Sequence, residues 1–274
     1  MPAPTSIYAP ALLPLIGTPE CPVLIDVRTD EDFAADPRLI PGALRRPATA
    51  AASWADDFAS ERTVVICQKG LKLSAGAAAW LRQEGASAAT LEGGHLAWSA
   101  AGLPTVPVAA LPAPDAQGRT VWVTRERPKI DRIACPWLIR RFVDPDAVFL
   151  YVPATEVAAV AERFAATPYD IEGVFWSHRG ERCTFDTMIE VFGLESPALS
   201  HLATIVRGAD TARPEIAPES AGLLAASLGL SHMFADDLEQ LEAGMTLYDA
   251  FYRWCRDATG ETHNWPAKPT GAQP

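Results

Sequence analysis

Cysteine is sparse: the 274 residues hold five, at positions 21, 67, 135, 183 and 255, with no C-x-x-C pair. An odd, scattered set speaks against a disulfide framework and fits thiols kept reduced. Long apolar runs are missing as well. None approaches the roughly 18–20 residues that a membrane helix needs, so no membrane span is expected. The opening Met1-Pro2-Ala3-Pro4 has no basic stretch before its short apolar run, and the expectation is a cytoplasmic protein without a secretory signal. Positive charge is scarce: 23 Lys and Arg stand against 34 Asp and Glu, a net charge of −11. That balance repels phosphate backbones and disfavours DNA as a partner. One basic segment departs from it, carrying Arg125, Arg127, Lys129, Arg132, Arg140 and Arg141. It reads either as a solvated helix face and turn or as an anion- or nucleic-acid-contacting patch.

Apolar residues make up 49% of the chain, ample for sizeable cores, and the length suits two domains. Residues 103–119 contain four prolines and a glycine, the composition of a stiff, extended linker. The expected organisation is a first domain over 1–107, a Pro-rich linker over 108–119, a second domain over 120–265 and a disordered tail over 266–274. In the first domain, short apolar strands near 23–25, 64–66 and 88–91 alternate with helices near 30–35, 74–84 and 96–101. This predicts an α/β fold with a mostly parallel sheet flanked by helices, and ligands beyond the carboxyl ends of the strands. The second half opens with strands near 121–124 and 147–152 around a helix over 131–142, capped by Asp131. Beyond Trp176 the pattern turns helical, through 184–192, 198–207, 218–228 and 236–256, with a break near Gly244. The expectation is a helix-rich α+β domain.

Cys67 stands where an apolar strand ends and a Gly-containing, doubly basic loop leads into a helix: Val64-Val65-Ile66-Cys67-Gln68-Lys69-Gly70-Leu71-Lys72. Backbone N–H groups and a helix N-terminus aimed at sulfur stabilise its anion, so the pattern predicts a reactive thiolate. The surrounding segments resemble the rhodanese-like (sulfurtransferase) family. They are Leu24-Ile25-Asp26-Val27-Arg28, Leu39-Ile40-Pro41-Gly42-Ala43, the Cys67 loop, Leu91-Glu92-Gly93-Gly94-His95-Leu96-Ala97-Trp98 and Ala101-Gly102-Leu103-Pro104. The resemblance implies a persulfide carried on Cys67 and passed from a small-molecule sulfur donor to a thiol acceptor, with no cofactor required. It implies that the amides of Gln68, Lys69, Gly70, Leu71 and Lys72 cradle the persulfide, with Lys69 and Lys72 lowering the thiol pKa. Asp26 and Arg28 are expected to brace the sheet edge. The family's usual loop is C-x-x-G-x-R, and here Lys72 replaces the arginine. Lysine offers a point charge where arginine offers a bidentate fork, so the donor need not be thiosulfate.

The second half resembles the chromate-resistance (ChrB-like) C-terminal domain, in residues 131–142, in Phe149-Leu150-Tyr151-Val152-Pro153, in Cys183-Thr184-Phe185-Asp186-Thr187 and in Ile205-Val206-Arg207-Gly208-Ala209-Asp210. The resemblance links the chain to chromate or another oxyanion. His178, Cys183, His201 and Asp210 offer imidazole, thiolate and carboxylate, a set that suits a transition metal, although the spacing follows no standard ligand signature. Cys135 is expected beside Trp137 in the core, with sulfur acceptor or oxidant sensor as its alternative roles. Cys21 and Cys255 are expected to be inert, and Trp98, Trp137 and Trp254 to anchor packing. The leading reading is a sulfurtransferase domain joined to a chromate-resistance domain. The alternatives are a non-enzymatic chromate- or redox-responsive regulator that contacts DNA, and a metal-dependent second domain.

Overall fold

The computed structural model describes residues 5–262; the tail expected to be disordered, 266–274, lies outside the described residues. The chain begins with β1 (Ser6–Ile7), α1 (Ala9–Leu12), β2 (Val23–Asp26), α2 (Asp30–Ala35), β3 (Arg38–Leu39), β4 (Ala43–Arg45) and α3 (Ala51–Trp54). There follow β5 (Arg62–Ile66), α4 (Lys72–Gln83), β6 (Ser87–Leu91), α5 (Gly94–Ala100) and β7 (Val106–Pro107). Five strands form one wholly parallel sheet in the order β1-β6-β5-β2-β4. Both faces of its centre are covered, which is why β5 carries an unbroken Val64-Val65-Ile66 run instead of alternating polarity. Helix α4 turns Ser74, Ala77, Ala78 and Leu81 inward, the spacing of one helical face.

The second half contains β8 (Val121–Arg125), α6 (Asp131–Phe142), β9 (Val148–Val152), α7 (Val157–Phe164) and β10 (Thr167–Pro168). The strands pair in parallel as β10-β8-β9. Four helices follow: α8 (Thr184–Phe192), α9 (Pro197–Asp210), α10 (Ser220–Met233) and α11 (Asp237–Arg253). Pro136 lies inside α6 and supplies no N–H to the Arg132 carbonyl one turn back. The Tyr151 hydroxyl donates to that carbonyl instead, at 2.9 Å.

The break expected near Gly244 is absent. Helix α11 runs through it and ends in a π-helical turn, Trp254–Ala258. A Cβ on Gly244 would come within 2.5 Å of Ile133 Cγ2, so the glycine serves the close approach of α11 to α6. The Pro-rich connection is not a free spacer. Val106 and Pro107 pair antiparallel with β3, and Val108, Ala110 and Leu111 pack on the core. One apolar cluster runs through both halves, from Leu12, Ile16, Leu91 and Trp98 to Trp137, Phe142 and Tyr252. Phe142 is its hinge pin. Its carbonyl accepts from Gly42 N–H at 2.7 Å, and its ring lies where a Cβ on Gly17 would sit, 2.1 Å away.

Most of the basic segment is tied into its own half. Arg141 makes a two-pronged contact with Asp249 at 2.9 and 2.7 Å, and Arg140 reaches Glu242 at 2.6 Å. Arg127 donates to the Phe234 and Ser231 carbonyls, and Arg132 Nη1 donates to the Glu126 carbonyl at 3.1 Å. Four of the six cations thus tie elements of their own half together. Among the described residues, no helix is long and apolar enough to cross a membrane.

Candidate functional site

Cys67 follows β5, the middle strand of the parallel sheet, at its carboxyl end. The loop from Gln68 to Leu71 curls back so that the Leu71 N–H donates to Sγ at 3.2 Å. Gly70 makes that curl possible. Its φ is +68°, and a Cβ there would collide with the Leu91 carbonyl at 2.5 Å. Gly94 is equally constrained, since its Cβ would lie 2.2 Å from the Cys67 carbonyl. Ser74, in the first turn of α4, brings Oγ within 3.2 Å of Sγ and 2.9 Å of the Leu71 carbonyl, so its single proton can be given to either. Burial pushes the Cys67 thiol up, but the Ser74 hydroxyl and the amides of Ser74, Leu71 and Lys69 outweigh it and hold the thiol below its ordinary value. Lys69 contributes there through its backbone N–H, while the side chains of Lys69 and Lys72 are exposed.

Sequence reasoning named the loop but passed over Ser74. The available signal was a hydroxyl residue in the first turn of the helix that follows the cysteine. Asp26 and Arg28 form a buried pair at 2.8 Å, and Arg28 also donates to the Asp36 and Arg38 carbonyls. They brace the loops beside the sheet edge. Next to them opens a cavity of about 460 Å³, lined in part by Val27, Thr29, Arg45, Arg46 and Leu73. Its wall carries the cations Arg28, Arg45 and Arg46, and Leu73, the neighbour of Ser74, also lines it.

The second half holds a different constellation. His178 Nε2 lies 3.1 Å from Asp210 Oδ2, 3.5 Å from Asp170 Oδ1 and 3.7 Å from Asp131 Oδ2. Asp131 does not cap its own helix as expected. Ile130 occupies the cap position of α6, and the Asp131 carboxylate crosses to accept from the N–H groups of Thr184 and Phe185 at 2.5 and 3.3 Å, capping α8. Asp170 accepts from Thr184 Oγ1 at 2.8 Å. Burial, then the charges of Asp210 and Asp170, push Asp131 well above the usual carboxylate range. Asp210 is raised as well, first by burial and then by Asp170. His178 is raised by its carboxylate partners, Asp170 foremost.

Of the four side chains expected to ligate metal, the structure brings His178 and Asp210 together. His201 is elsewhere, its ring tilted against Trp254 with centroids 5.3 Å apart. Cys183 is sealed in the core at the N-cap of α8, where its thiol and its N–H both donate to Asp186 Oδ2, at 3.3 and 3.0 Å. Burial and the neighbouring carboxylates Asp131 and Asp186 hold that thiol well above its ordinary value. Asp131 and Asp170 take their places beside His178. Cys135 is fully buried, as expected beside Trp137.

Residues 11–101 match the family model of the rhodanese-like domain, and residues 122–255 that of the ChrB C-terminal domain. Protein ChrB of Cupriavidus metallidurans is 33% identical over 137 residues, covering 50% of this chain and 40% of that protein. The match therefore spans less than half the length of that relative. A rhodanese-related protein of Thermoplasma volcanium is 26% identical, with a TM-score of 0.33, over 37% of this chain and 96% of that one. A rhodanese-like domain protein of Staphylococcus aureus is 29% identical, with a TM-score of 0.31, over 34% of this chain and 90% of that one. By these family matches, the chain joins a rhodanese-like domain to a ChrB C-terminal domain.

Proposed function

We propose that the protein is a chromate-resistance-associated sulfurtransferase, working through a persulfide on Cys67. The supporting observation is the donor set around the sulfur: the Leu71 N–H and the Ser74 hydroxyl, each 3.2 Å from Sγ. In the first step the Cys67 thiolate attacks the outer sulfur of a donor such as thiosulfate. A new S–S bond forms on Cys67, the donor's S–S bond breaks, and its electron pair leaves with sulfite. In the second step an acceptor thiolate attacks the outer persulfide sulfur and carries it away, and the Cys67 thiolate is regenerated. Amides already aimed at Sγ favour negative charge on that sulfur. A reducing compartment such as the cytoplasm would keep the five free cysteines as thiols.

The test is intact-mass analysis of the full chain after thiosulfate or 3-mercaptopyruvate. One added sulfur atom in the wild type and none in Cys67→Ala is the expected result. A folded wild type that takes up no sulfur from either donor, or a Cys67→Ala variant that still takes it up, ends this reading.

A further inference from the structure

The Asp131, Asp170, His178 and Asp210 side chains come from four separate places: the start of α6, the turn after β10, the 177–182 turn and the end of α9. Their polar atoms crowd together without enough positive charge to balance them. Asp131 is fully buried and Asp170 nearly so. The cations at hand are His178, with its ring nitrogen among the three carboxylates, and Arg132, with Nε 3.4 Å from Asp170 Oδ2. Moreover, Asp131 Oδ1 is buried and has no hydrogen-bond donor among the described residues. A buried carboxylate oxygen left without a donor is costly unless something absent from the protein itself completes it.

The spacing identifies what would complete it. Ligand atoms about 2.1 Å from a first-row metal ion are separated by roughly 3.0 Å at octahedral edges and 3.4 Å at tetrahedral ones. The separations from His178 Nε2, 3.1 to 3.7 Å, fall at or just above that interval, and the candidate atoms of Asp131, Asp170 and His178 all lie within 4.8 Å of one another. We propose that Asp131, Asp170, His178 and Asp210 bind a single divalent first-row transition-metal ion.

Three carboxylate oxygens and one imidazole, with no thiolate, match ions such as Mn²⁺, Fe²⁺ or Zn²⁺ and not a soft thiophilic metal. A second layer of contacts is already in place. The Thr184 hydroxyl fixes Asp170 through Oδ1 and the α8 amides hold Asp131 through Oδ2, the oxygens that face His178. Asp131 and Asp170 form the floor. The half-exposed His178 lies at the rim, where one face of the ion stays open to water or to an oxyanion. This site stands independently of the chemistry at Cys67.

The test uses the untagged full chain, stripped with chelator and titrated with Mn²⁺ or Zn²⁺ alone. Mn²⁺ is followed by loss of the free-ion paramagnetic resonance signal, Zn²⁺ by calorimetry, and both by thermal melting. Saturable binding of one equivalent of at least one ion is expected, with a rise in melting temperature. His178→Ala and Asp210→Asn, both at the rim, should weaken binding at least tenfold while melting cooperatively without metal; Asp170→Asn should do the same. His201→Ala should bind as the wild type does. Absence of saturable binding for both ions overturns the proposal. Unchanged affinity in His178→Ala and Asp210→Asn overturns it too.

Discussion

Cys67 and Cys135 are both buried, each close to the N-terminal end of a helix, one in each half of the molecule. Their surroundings are opposite. Cys67 faces a hydroxyl and main-chain N–H groups, and its thiol is held below the ordinary value despite burial. Cys135 is pushed well above it, first by burial and then by Asp131 and Asp170, and Cys183 is raised in the same way by burial and by Asp131. Burial alone therefore does not decide which way a thiol's pKa moves. The sign of what lines the cavity does: donors favour sulfur chemistry, and carboxylates favour a cation.

The largest test of this contrast is deletion. Cys67→Ala should bring sulfur uptake to background, while Cys135→Ala leaves it intact, both read by intact mass. In the native protein, iodoacetamide should modify Cys67 with a rate that climbs with pH and levels off below 9.0, the ordinary thiol value. The sign follows from ionisation, because the lowered pKa puts the reactive thiolate in place at lower pH. Cys21 and Cys255, both raised to about 11, should still be gaining rate above that plateau. Peptide mapping across a pH series separates the three. Ser74→Ala removes one donor to a charged acceptor, about 1.5–3 kcal/mol, so persulfide formation should slow roughly 10- to 100-fold and the alkylation midpoint should rise. An unchanged midpoint would mean that the hydroxyl is a packing group only.

Gly17→Ala addresses how firmly the two halves are joined. The added methyl meets the Phe142 ring, and urea unfolding should report a loss of about 1–3 kcal/mol. The smallest effect should come from Lys72→Arg. A guanidinium fork in place of a point charge should lower KM for thiosulfate by roughly two- to fivefold and leave kcat nearly unchanged.

The first half was readable because its signals are local. Strand, cysteine, glycine loop and helix lie within residues 62–83, and the structure keeps them in that order. Ser74 escaped notice because a hydroxyl facing sulfur looks, in sequence, like any residue of a helix's first turn. The carboxylate site was only half legible. Asp131 resembled a cap for the helix it begins, and its role at α8 depends on a contact 53 positions away. Asp170 sits in an irregular turn with a φ of +51° and carries no periodic signature. His201 was a fair candidate by composition, but aromatic packing on Trp254 claims it. Gly244 misled for the same reason: a residue that often ends helices here serves a neighbour's Ile133.

The apolar cluster that runs through Phe142 has a practical consequence for anyone dissecting the protein. A fragment ending near residue 107 would lose Phe142, whose ring packs on Gly17 and whose carbonyl holds the Gly42 N–H, whatever the family borders suggest. Its insolubility would then reflect a severed seam and say nothing about the sulfur-binding loop, so point variants of the intact polypeptide are the sounder instruments.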